Sequence, residues 1–418
     1  MSGLEVTNSW RPYGLRRDPF FQEELKASPE AEFPVQTLFV GRQTELARIG
    51  RAIGGSDPSS TIVEGEAGVG KTSFVNALKA DAAASGLLVH EHPIRVDANS
   101  TPDRLLAEVL RILVRTHGLA GEKDSDFWRS AARLVEGGVR TSGGVSIAGT
   151  GVQVQREHLA PEMGHGSLLD RVGEALVRLR DEIAPILLHV NNLENVGLDA
   201  ADHAAILMQT VRDVFAYPGA HWLMVGITGI EEAVFRKTDQ VSGFFPHAVA
   251  LEPLTTAEIR EVMERRYEHL RVQGSVVVPP VETEAVGELY DRYHGDLRNF
   301  LRLLSEASNL LLGINGIEPL TGAQILRTMS HECRDRVVRQ LSEDDVRYLE
   351  TLAREGRGLQ DGFRVTEVRQ WLEVSQAGAS GIVDRLLAAR MLMQVARTGK
   401  SVYYQLTGAA SIATQPVV

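Results

Sequence analysis

Residues Gly65-Glu66-Ala67-Gly68-Val69-Gly70-Lys71-Thr72 read G-x-x-x-x-G-K-T and decide the fold of this chain. The apolar run Thr61-Ile62-Val63 precedes them, and the segment 73–78 leads away from them. The sequence therefore predicts a strand, a glycine loop and a helix in that order. Glycines let successive backbone N–H groups point inward at a phosphate, and the helix N-terminus adds the positive end of its dipole. This order predicts a phosphate-binding loop.

The residue types in the loop point to a nucleoside triphosphate with a metal ion. In this motif Lys71 reaches the β- and γ-phosphates, and the hydroxyl of Thr72 ligates Mg²⁺. We therefore expect ATP and Mg²⁺ as cofactors. A glycine-rich turn that merely starts a helix is the alternative. The predicted nucleotide-binding residues of the loop are Gly65, Glu66, Ala67, Gly68, Val69, Gly70, Lys71, Thr72 and Ser73.

Length and composition indicate an ordinary globular protein of several domains. The chain has 418 residues, of which 43% are hydrophobic and 24% charged, and one compact core rarely grows to this size. No apolar run approaches the ~20 residues that span a membrane. We expect a cytoplasmic protein with no membrane partner.

Charge and cysteine content exclude some classes of site. The single cysteine, Cys333, cannot form an internal disulfide or a cysteine-based metal centre. A net charge of −11 argues against a surface built for nonspecific nucleic-acid binding, because Lys and Arg supply most phosphate affinity. Any DNA contact must therefore be local.

Apolar runs downstream of the loop predict a parallel sheet with helices between its strands. Strand-like runs occur at 87–90, 94–97, 185–190 and 221–227, and helices are predicted at 101–117, 255–270, 282–293 and 296–312. Upstream of the loop, the segment from Leu38 to Leu46 is predicted to be the end of a strand that runs into a helix. Near-continuous apolar strands are typical of a sheet that is covered on both faces. Between about 120 and 167, alternation around Gly149-Thr150-Gly151 predicts an inserted β-hairpin. It could touch DNA or a neighbouring subunit, or be a surface insertion.

The C-terminal segment has the order of a winged helix-turn-helix. Ser342, Thr366 and Ser375 are predicted to start three helices, and a two-stranded ribbon follows around Thr398-Gly399. Residues 374–410 carry four basic side chains against one acidic one, which suits a helix in a DNA groove and a wing on phosphates. A protein-interaction module is the alternative. The predicted DNA-binding residues are Ser375, Gln376, Ser380, Arg385, Arg397 and Lys400.

Together these features resemble the AAA+ ATPases, in the branch of the origin-recognition initiators and transposon target-selector ATPases. The resemblance covers roughly 36–410. Besides the phosphate loop, it rests on Phe39-Val40-Gly41-Arg42, similar to the family's segment near the adenine, and on Gly295-Asp296-Leu297-Arg298, similar to the sensor 2 motif. It assigns Gly41 and Arg42 to nucleotide binding and Arg298 to the γ-phosphate. Thr228 matches the sensor 1 position.

The resemblance also implies an overall architecture. The fold class is α/β: the parallel sheet of a P-loop NTPase with a helical lid, followed by a winged helix-turn-helix domain. Four parts are expected: an extended N-terminal arm that wraps the next domain, a nucleotide-binding core with the hairpin insertion, a helical lid and a winged-helix domain. Their predicted bounds are 1–35, 36–253, 254–335 and 336–418.

The segment after the 185–190 strand departs from the family pattern. The family usually carries Asp-Glu or Asp-Asp there, whereas this chain has Asn191-Asn192-Leu193-Glu194. An amide can accept a hydrogen bond from metal-bound water but cannot take a proton. Asn191 is therefore a metal-site candidate, and Glu194 is the favoured water-activating group, ahead of Asp97. Without such a base, hydrolysis slows by about 10² to 10⁴.

AAA+ proteins also place an arginine of one subunit in the site of the next. Arg236 lies about where this branch keeps that residue, although Gly243-Phe244-Phe245 lacks the arginine of the family's arginine-phenylalanine ending. A solvated charge is the alternative for Arg236. The resemblance implies a homo-oligomer that assembles on nucleotide binding.

Two functions of different classes follow from these expectations. One is an ATPase, with slow or DNA-stimulated hydrolysis, that assembles on duplex DNA and recruits or licenses another protein. The other is a non-hydrolysing, ATP-dependent regulatory switch whose winged helix binds protein. A transcription factor with a vestigial ATPase domain is a third alternative, and it would bind DNA regardless of ATP.

Overall fold

The computed structural model describes residues 8–97, 99–121, 125–136, 139–142, 155–158, 164–191, 193, 201–236, 239–312, 317–356, 362–398 and 401–414. The chain divides into two compact units. The sheet unit comprises Glu24–Ala67 and Lys71–Glu252. The helical unit comprises the residues up to Glu23, Gly68–Gly70 and Pro253 onward.

A parallel sheet organises the sheet unit. In chain order the elements are α1 Val35–Leu38, α2 Gln43–Gly55, β1 Ser59–Gly65, α3 Lys71–Ala84, β2 Leu88–Val89, β3 Ile94–Arg95, α4 Pro102–Leu119, α5 Asp126–Glu136, β4 Val139–Ser142, β5 Gln155–His158, α6 His165–Glu182, β6 Ile186–Asn191, α7 Ala201–Val211, a 3-10 helix Arg212–Ala216, β7 Ala220–Gly226, a π-helix Glu231–Phe235, α8 Asp239–Ser242 and β8 His247–Leu251. The strand order of the sheet is β2-β6-β7-β1-β8, and β3 also pairs with β6.

Burial follows the apolar patterning of the strands. Every residue of β7 is buried, and in β6 only the last residue, Asn191, is partly exposed. Leu106 and Leu110 of α4 join Leu188 and Trp222 of the strands in one hydrophobic core. The inner strand β1 pairs with β7 and β8, with Glu64 opposite Gly226 and Ala250. The carboxyl ends of these three strands therefore meet at one edge of the sheet.

The inserted hairpin is described only at its base. β4 and β5 pair in antiparallel register from Val139 opposite His158 to Ser142 opposite Gln155. The predicted turn at Gly149-Thr150-Gly151 lies outside the described residues.

The segment before the phosphate loop differs from the predicted end of a strand at 38–42. Residues Val35–Leu38 form a short helix that starts after Pro34, and the Phe39 N–H donates to the Val35 carbonyl at 2.9 Å. Gly41 and Arg42 then take positive φ angles of 72° and 62°, which end the extended backbone at the start of α2. Two consecutive left-handed residues make a sharp turn that apolar patterning does not reveal.

Helices dominate the helical unit, and side-chain caps define their starts. Thr255 and Glu258 form a capping box at the first long helix, and the Asp296 carboxylate accepts from the Asn299 N–H at 3.1 Å at the third. The helices predicted at 255–270, 282–293 and 296–312 are thus confirmed within two residues at their ends. The elements are a 3-10 helix Arg11–Tyr13, α9 Thr256–Leu270, α10 Thr283–Arg292, α11 Leu297–Leu311 and α12 Gly322–Gln340.

Three helices and a ribbon then form the predicted winged helix. Its elements are α13 Glu343–Glu355, α14 Val365–Trp371, α15 Gln376–Ala388, β9 Leu392–Thr398, β10 Ser401–Leu406 and α16 Gly408–Ala413. Ser342 and Ser375 cap α13 and α15 as predicted. The second helix starts at Val365, one residue before the predicted Thr366. Its N-cap residue is Arg364, whose N–H donates to the Glu367 carboxylate. Phe363 pairs with Tyr404 as a third strand-like bridge.

Residues 8–23 of the N-terminal arm belong to the helical unit. The Arg16 N–H donates to the Leu270 carbonyl at 2.9 Å. The buried guanidinium of Arg266 donates to the carbonyls of Pro19 and Phe21 at 3.0 and 2.8 Å. Burial lowers the pKa of Arg266 to about 10. The arm is thus held through its backbone carbonyls.

Lys79 and His189 are among the basic side chains that are buried in the sheet unit. The Lys79 ammonium donates to the carbonyls of His90 and Glu91 at 2.6 and 2.9 Å, and burial lowers its pKa to about 8. His189 is 5% exposed, and neither ring nitrogen has a hydrogen-bond partner among the described residues. Burial, helped by the charge of Lys79, lowers the pKa of His189 to about 3. His189 is therefore neutral in the folded protein at ordinary pH.

No helix among the described residues is long and apolar enough to cross a membrane.

Replacing Arg266 with Ala should destabilise the helical unit, because two carbonyls lose a charged donor inside the protein. We expect a loss of about 2–4 kcal/mol in the free energy of unfolding, measured by urea denaturation, and faster trypsin cleavage after Arg16 or Arg17. The control is Arg265→Ala, which removes an exposed pair with Glu261 and should cost less than about 0.5 kcal/mol. Equal effects of both variants would contradict the clamp.

His189 should make the sheet unit sensitive to acid. The unfolded chain takes up a proton on His189 near pH ~6.5, but the folded site does so only near pH 3. Since the unfolded state binds more protons in this window, stability falls as the pH drops from ~6.5, by about 2 kcal/mol at pH ~5. His189→Leu should reduce this fall between neutral and acidic urea titrations. The exposed-site control His247→Leu should retain it, and retention in both variants would refute this account.

Candidate nucleotide site and winged helix

The phosphate loop joins strand β1 to helix α3. Gly68 and Gly70 take φ angles of 83° and 99°, which are left-handed and favour glycine. Lys71 and Thr72 begin α3, so the loop ends at a helix N-terminus. The backbone geometry is that of an anion-binding loop, as the motif predicts.

Lys71 folds back over the loop that it terminates. Its ammonium donates to the carbonyls of Gly65 and Glu66 at 2.7 and 3.0 Å. Thr72 and Ser73 follow it in the first turn of α3, and all three side chains are partly exposed. The charge of Lys71 is therefore already positioned at the loop, with exchangeable carbonyl partners.

At the end of β6, the structure describes only part of the segment Asn191 to Glu194, which departs from the family pattern. Asn191 is the last residue of β6 and lies opposite Arg95 of β3. Its carbonyl accepts from the Val96 N–H at 3.2 Å. Glu194 lies outside the described residues, so its proposed role stays a prediction. Among the described residues, no group of three or more His, Cys, Asp or Glu could hold a metal ion.

The segment after β7 carries Thr228 and Arg236, the two other site residues predicted in the nucleotide-binding core. Thr228 is exposed in the turn that follows β7. Arg236 caps the π-helix, and its Nε donates to the Glu231 carboxylate at 2.8 Å. The structure thus places Arg236 in an intrachain ion pair. Its action in another subunit stays a prediction.

Sequence reasoning missed Glu64, the last residue before Gly65. Its carboxylate accepts from the N–H groups of Gly229 and Glu231 at 3.0 and 3.3 Å. An acidic residue at the end of an apolar strand was the available signal, because such strands rarely carry Glu. Its partners, some 165 residues later, could not be deduced from the sequence.

The remaining nucleotide candidates occupy strained or capped backbone. Gly41 and Arg42 lead into α2, where Arg42 is the buried N-cap residue. In the helical unit, Arg298 is exposed in the first turn of α11. Just before it, the Tyr290 hydroxyl donates to the Gly295 carbonyl at 3.3 Å and accepts from the Leu254 N–H at 3.1 Å. The Tyr290 hydroxyl therefore links the backbone just before Arg298 to the backbone at Leu254.

The winged-helix candidates differ in how free they are to meet DNA. Ser375 caps α15 by accepting from the Gly378 N–H at 3.1 Å, and Gln376 beside it is exposed. Ser380, one turn later, is partly exposed. Arg397 lies in β9, and Lys400 lies outside the described residues.

Arg385 has a structural partner that the sequence did not suggest. Its guanidinium contacts the Asp345 carboxylate of α13 through Nη2 at 2.7 Å and through Nε at 3.2 Å. Its remaining Nη1 donates to the Gly381 carbonyl at 3.1 Å. The hydrogen bond from Arg385 keeps the pKa of Asp345 below its usual value. Arg385 therefore joins α13 to α15, and a DNA contact would have to compete with this pair.

Comparison with known proteins agrees with this geometry. The family model of the AAA ATPase domain matches residues 38–221. An uncharacterized HTH-type transcriptional regulator of Methanocaldococcus jannaschii is similar at 20% identity over 396 residues, which cover 92% of this chain and 91% of that protein.

Solved structures of similar extent include two from Aeropyrum pernix. The ORC1 protein in complex with DNA has 18% identity and a TM-score of 0.45, covering 98% of this chain and 97% of that one. The ORC2 protein with ADPNP and ADP has 15% identity and a TM-score of 0.47, covering 95% of each chain. The predicted fold class is confirmed: the family model of the AAA ATPase domain matches residues 38–221, and a winged helix follows in the same chain.

Proposed function

We propose that this chain is an ATP-binding AAA+ ATPase of the initiator or target-selector branch. It assembles on duplex DNA through its winged helix and recruits or licenses a partner protein. The observation that carries the proposal is the phosphate loop, Gly65 to Thr72, at the carboxyl end of β1 inside the matched domain. The chain order of AAA domain, helices and winged helix supports the branch.

The loop residues supply the contacts that ATP requires. Backbone N–H groups around Gly68 and Gly70 hold phosphate oxygens, and the Lys71 ammonium exchanges its two carbonyl partners for phosphate. Thr72 and Asn191 are the proposed Mg²⁺ residues, as a hydroxyl and an amide are both oxygen donors. Bound Mg²⁺ would neutralise part of the phosphate charge. Gly41 and Arg42 are proposed to lie near the adenine.

Hydrolysis is proposed to be slow or DNA-stimulated. Asn191 brings no negative charge to the end of β6, and Glu194 is the remaining carboxylate proposed to activate water. Thr228 and Arg298 are proposed to report the γ-phosphate. The Arg236 guanidinium is proposed to act on a neighbouring subunit after leaving Glu231, which makes nucleotide-dependent homo-oligomers the expected assembly.

The DNA-facing part of the proposal rests on the winged helix. Gln376 and Ser380 present polar side chains on the first turns of α15, the helix that would enter a groove. Arg397 and Lys400 would bring charge to the phosphates from the wing. The name of the Methanocaldococcus relative, an HTH-type regulator, points in the same direction.

The second candidate is a non-hydrolysing, ATP-dependent switch whose winged helix binds protein. Two observations favour it. Asn191 stands where the family has an acid, and the Arg385–Asp345 pair removes one of the few basic groups from the DNA-facing helix.

Steady-state ATP hydrolysis, with and without duplex DNA, separates the two functions. We expect turnover that duplex DNA increases and that Lys71→Ala abolishes, because that variant lacks the charge at the phosphates. ATP binding without turnover above the Lys71→Ala blank, in either condition, would reject the ATPase in favour of the switch.

Wing substitutions test the DNA contact by its salt dependence. Arg397→Ala should weaken binding of all duplex sequences and lower the slope of log affinity against log salt by about one, as expected for a lost phosphate contact. Arg354→Ala, in α13 and paired with Glu355, is the control and should leave the slope unchanged. Identical slopes for the wild-type protein and Arg397→Ala would argue against a wing on phosphate.

A further inference from the structure

Glu64 is an acidic residue at the carboxyl end of β1, an inner strand of the sheet. It is only partly exposed, and its neighbours in register are Gly226 of β7 and Ala250 of β8. A carboxylate in such a place needs hydrogen-bond donors to offset its desolvation. The donors are two backbone N–H groups of the segment after β7.

These hydrogen bonds hold the turn after β7, which Gly226 and Gly229 make tight. A Cβ added to Gly226 would lie 3.0 Å from Ile230, so the turn closes directly over the end of β7. Gly229 takes a φ of 87°, and its N–H then points at the Glu64 carboxylate. Ile230 is buried on the other side of the turn. Glu64 thus holds this turn through two of its backbone N–H groups, while Ile230 holds it through apolar burial.

The segment that Glu64 holds carries Thr228 and Arg236, the two predicted site residues after β7. Thr228 lies next to Gly229, whose N–H Glu64 accepts. Glu231, the second donor to Glu64, begins the π-helix and uses its own carboxylate to hold the Arg236 guanidinium. Single-turn π-helices are frequent at functional sites. One carboxylate, directly before the phosphate loop, is therefore connected to Thr228 and Arg236.

We propose that Glu64 is a positioning residue that ties the Thr228–Arg236 segment to the first residue of the phosphate loop. Nucleotide binding at the loop would then be reported to both candidates through one anchor. This inference rests on the proposed function, because it assigns a task within the ATP site.

The strand order favours positioning over a direct chemical role. β7 lies between β1 and β6, so about 9–10 Å separates the Glu64 backbone from the strand that ends at Asn191. The Oε2 atom of Glu64 already accepts two N–H groups. The length of the Glu64 side chain, more than its negative charge, is what brings this oxygen to the two N–H groups.

Three substitutions separate reach from charge. Glu64→Gln keeps an oxygen at the same distance but loses the charge, Glu64→Asp keeps the charge but is one methylene shorter, and Glu64→Ala loses both. Glu232→Ala is the matched control, because it removes an exposed carboxylate from the same segment. The readouts are amide hydrogen exchange of residues 227–236 in the full chain and the ratio of ATP to ADP affinity.

We expect Glu64→Ala and Glu64→Asp to speed exchange at Gly229 and Glu231 by about tenfold, as for a lost hydrogen bond. Both variants should also lower the ATP/ADP affinity ratio while ADP affinity holds. Glu64→Gln and the Glu232→Ala control should remain near the wild type. Unchanged exchange or an unchanged ratio in Glu64→Ala and Glu64→Asp, or a Glu64→Gln protein that behaves like Glu64→Ala, would overturn the inference while the proposed function stands. Wild-type protein that binds neither nucleotide removes the proposed function, and this inference with it.

Discussion

The parallel pairing of β1 between β7 and β8 is the constraint on which the described core depends. Because strand register is fixed by the buried faces, it brings the ends of three strands to one edge. Gly65 starts the phosphate loop at that edge, and Glu64 meets the turn after β7 there. A slip of one residue would turn Glu64 into the opposite face and remove the anchor.

Local signals in the sequence were sufficient for much of the fold. The phosphate loop, α9 to α11 and the winged helix were predicted because glycine spacing, capping residues such as Ser342 and Ser375, and apolar periodicity act within a few residues. β8, α5 and α12 had no prediction of their own. The strand end predicted from Leu38 was wrong, because Leu38 ends the short helix Val35–Leu38, whose four residues are too few to show a helical period.

Side-chain partners across long sequence separations could not be predicted. Arg266 binds the carbonyls of Pro19 and Phe21, and nothing near Arg266 in the sequence marks it as a buried clamp. Likewise Arg385 looked like a groove contact from its helix and charge, whereas Asp345, on another helix, engages it. In both cases the pairing depends on tertiary packing, which local propensity does not encode.

Binding of ATP by the Gly65–Thr72 loop is the central claim, and equilibrium titration of the full chain with ATP and Mg²⁺ tests it most directly. The account predicts saturable binding to the wild-type protein and an affinity at least about tenfold weaker in Lys71→Ala, because a charge-assisted contact to phosphate is lost. Equal ATP affinity in the two proteins, or no binding to either, would contradict it.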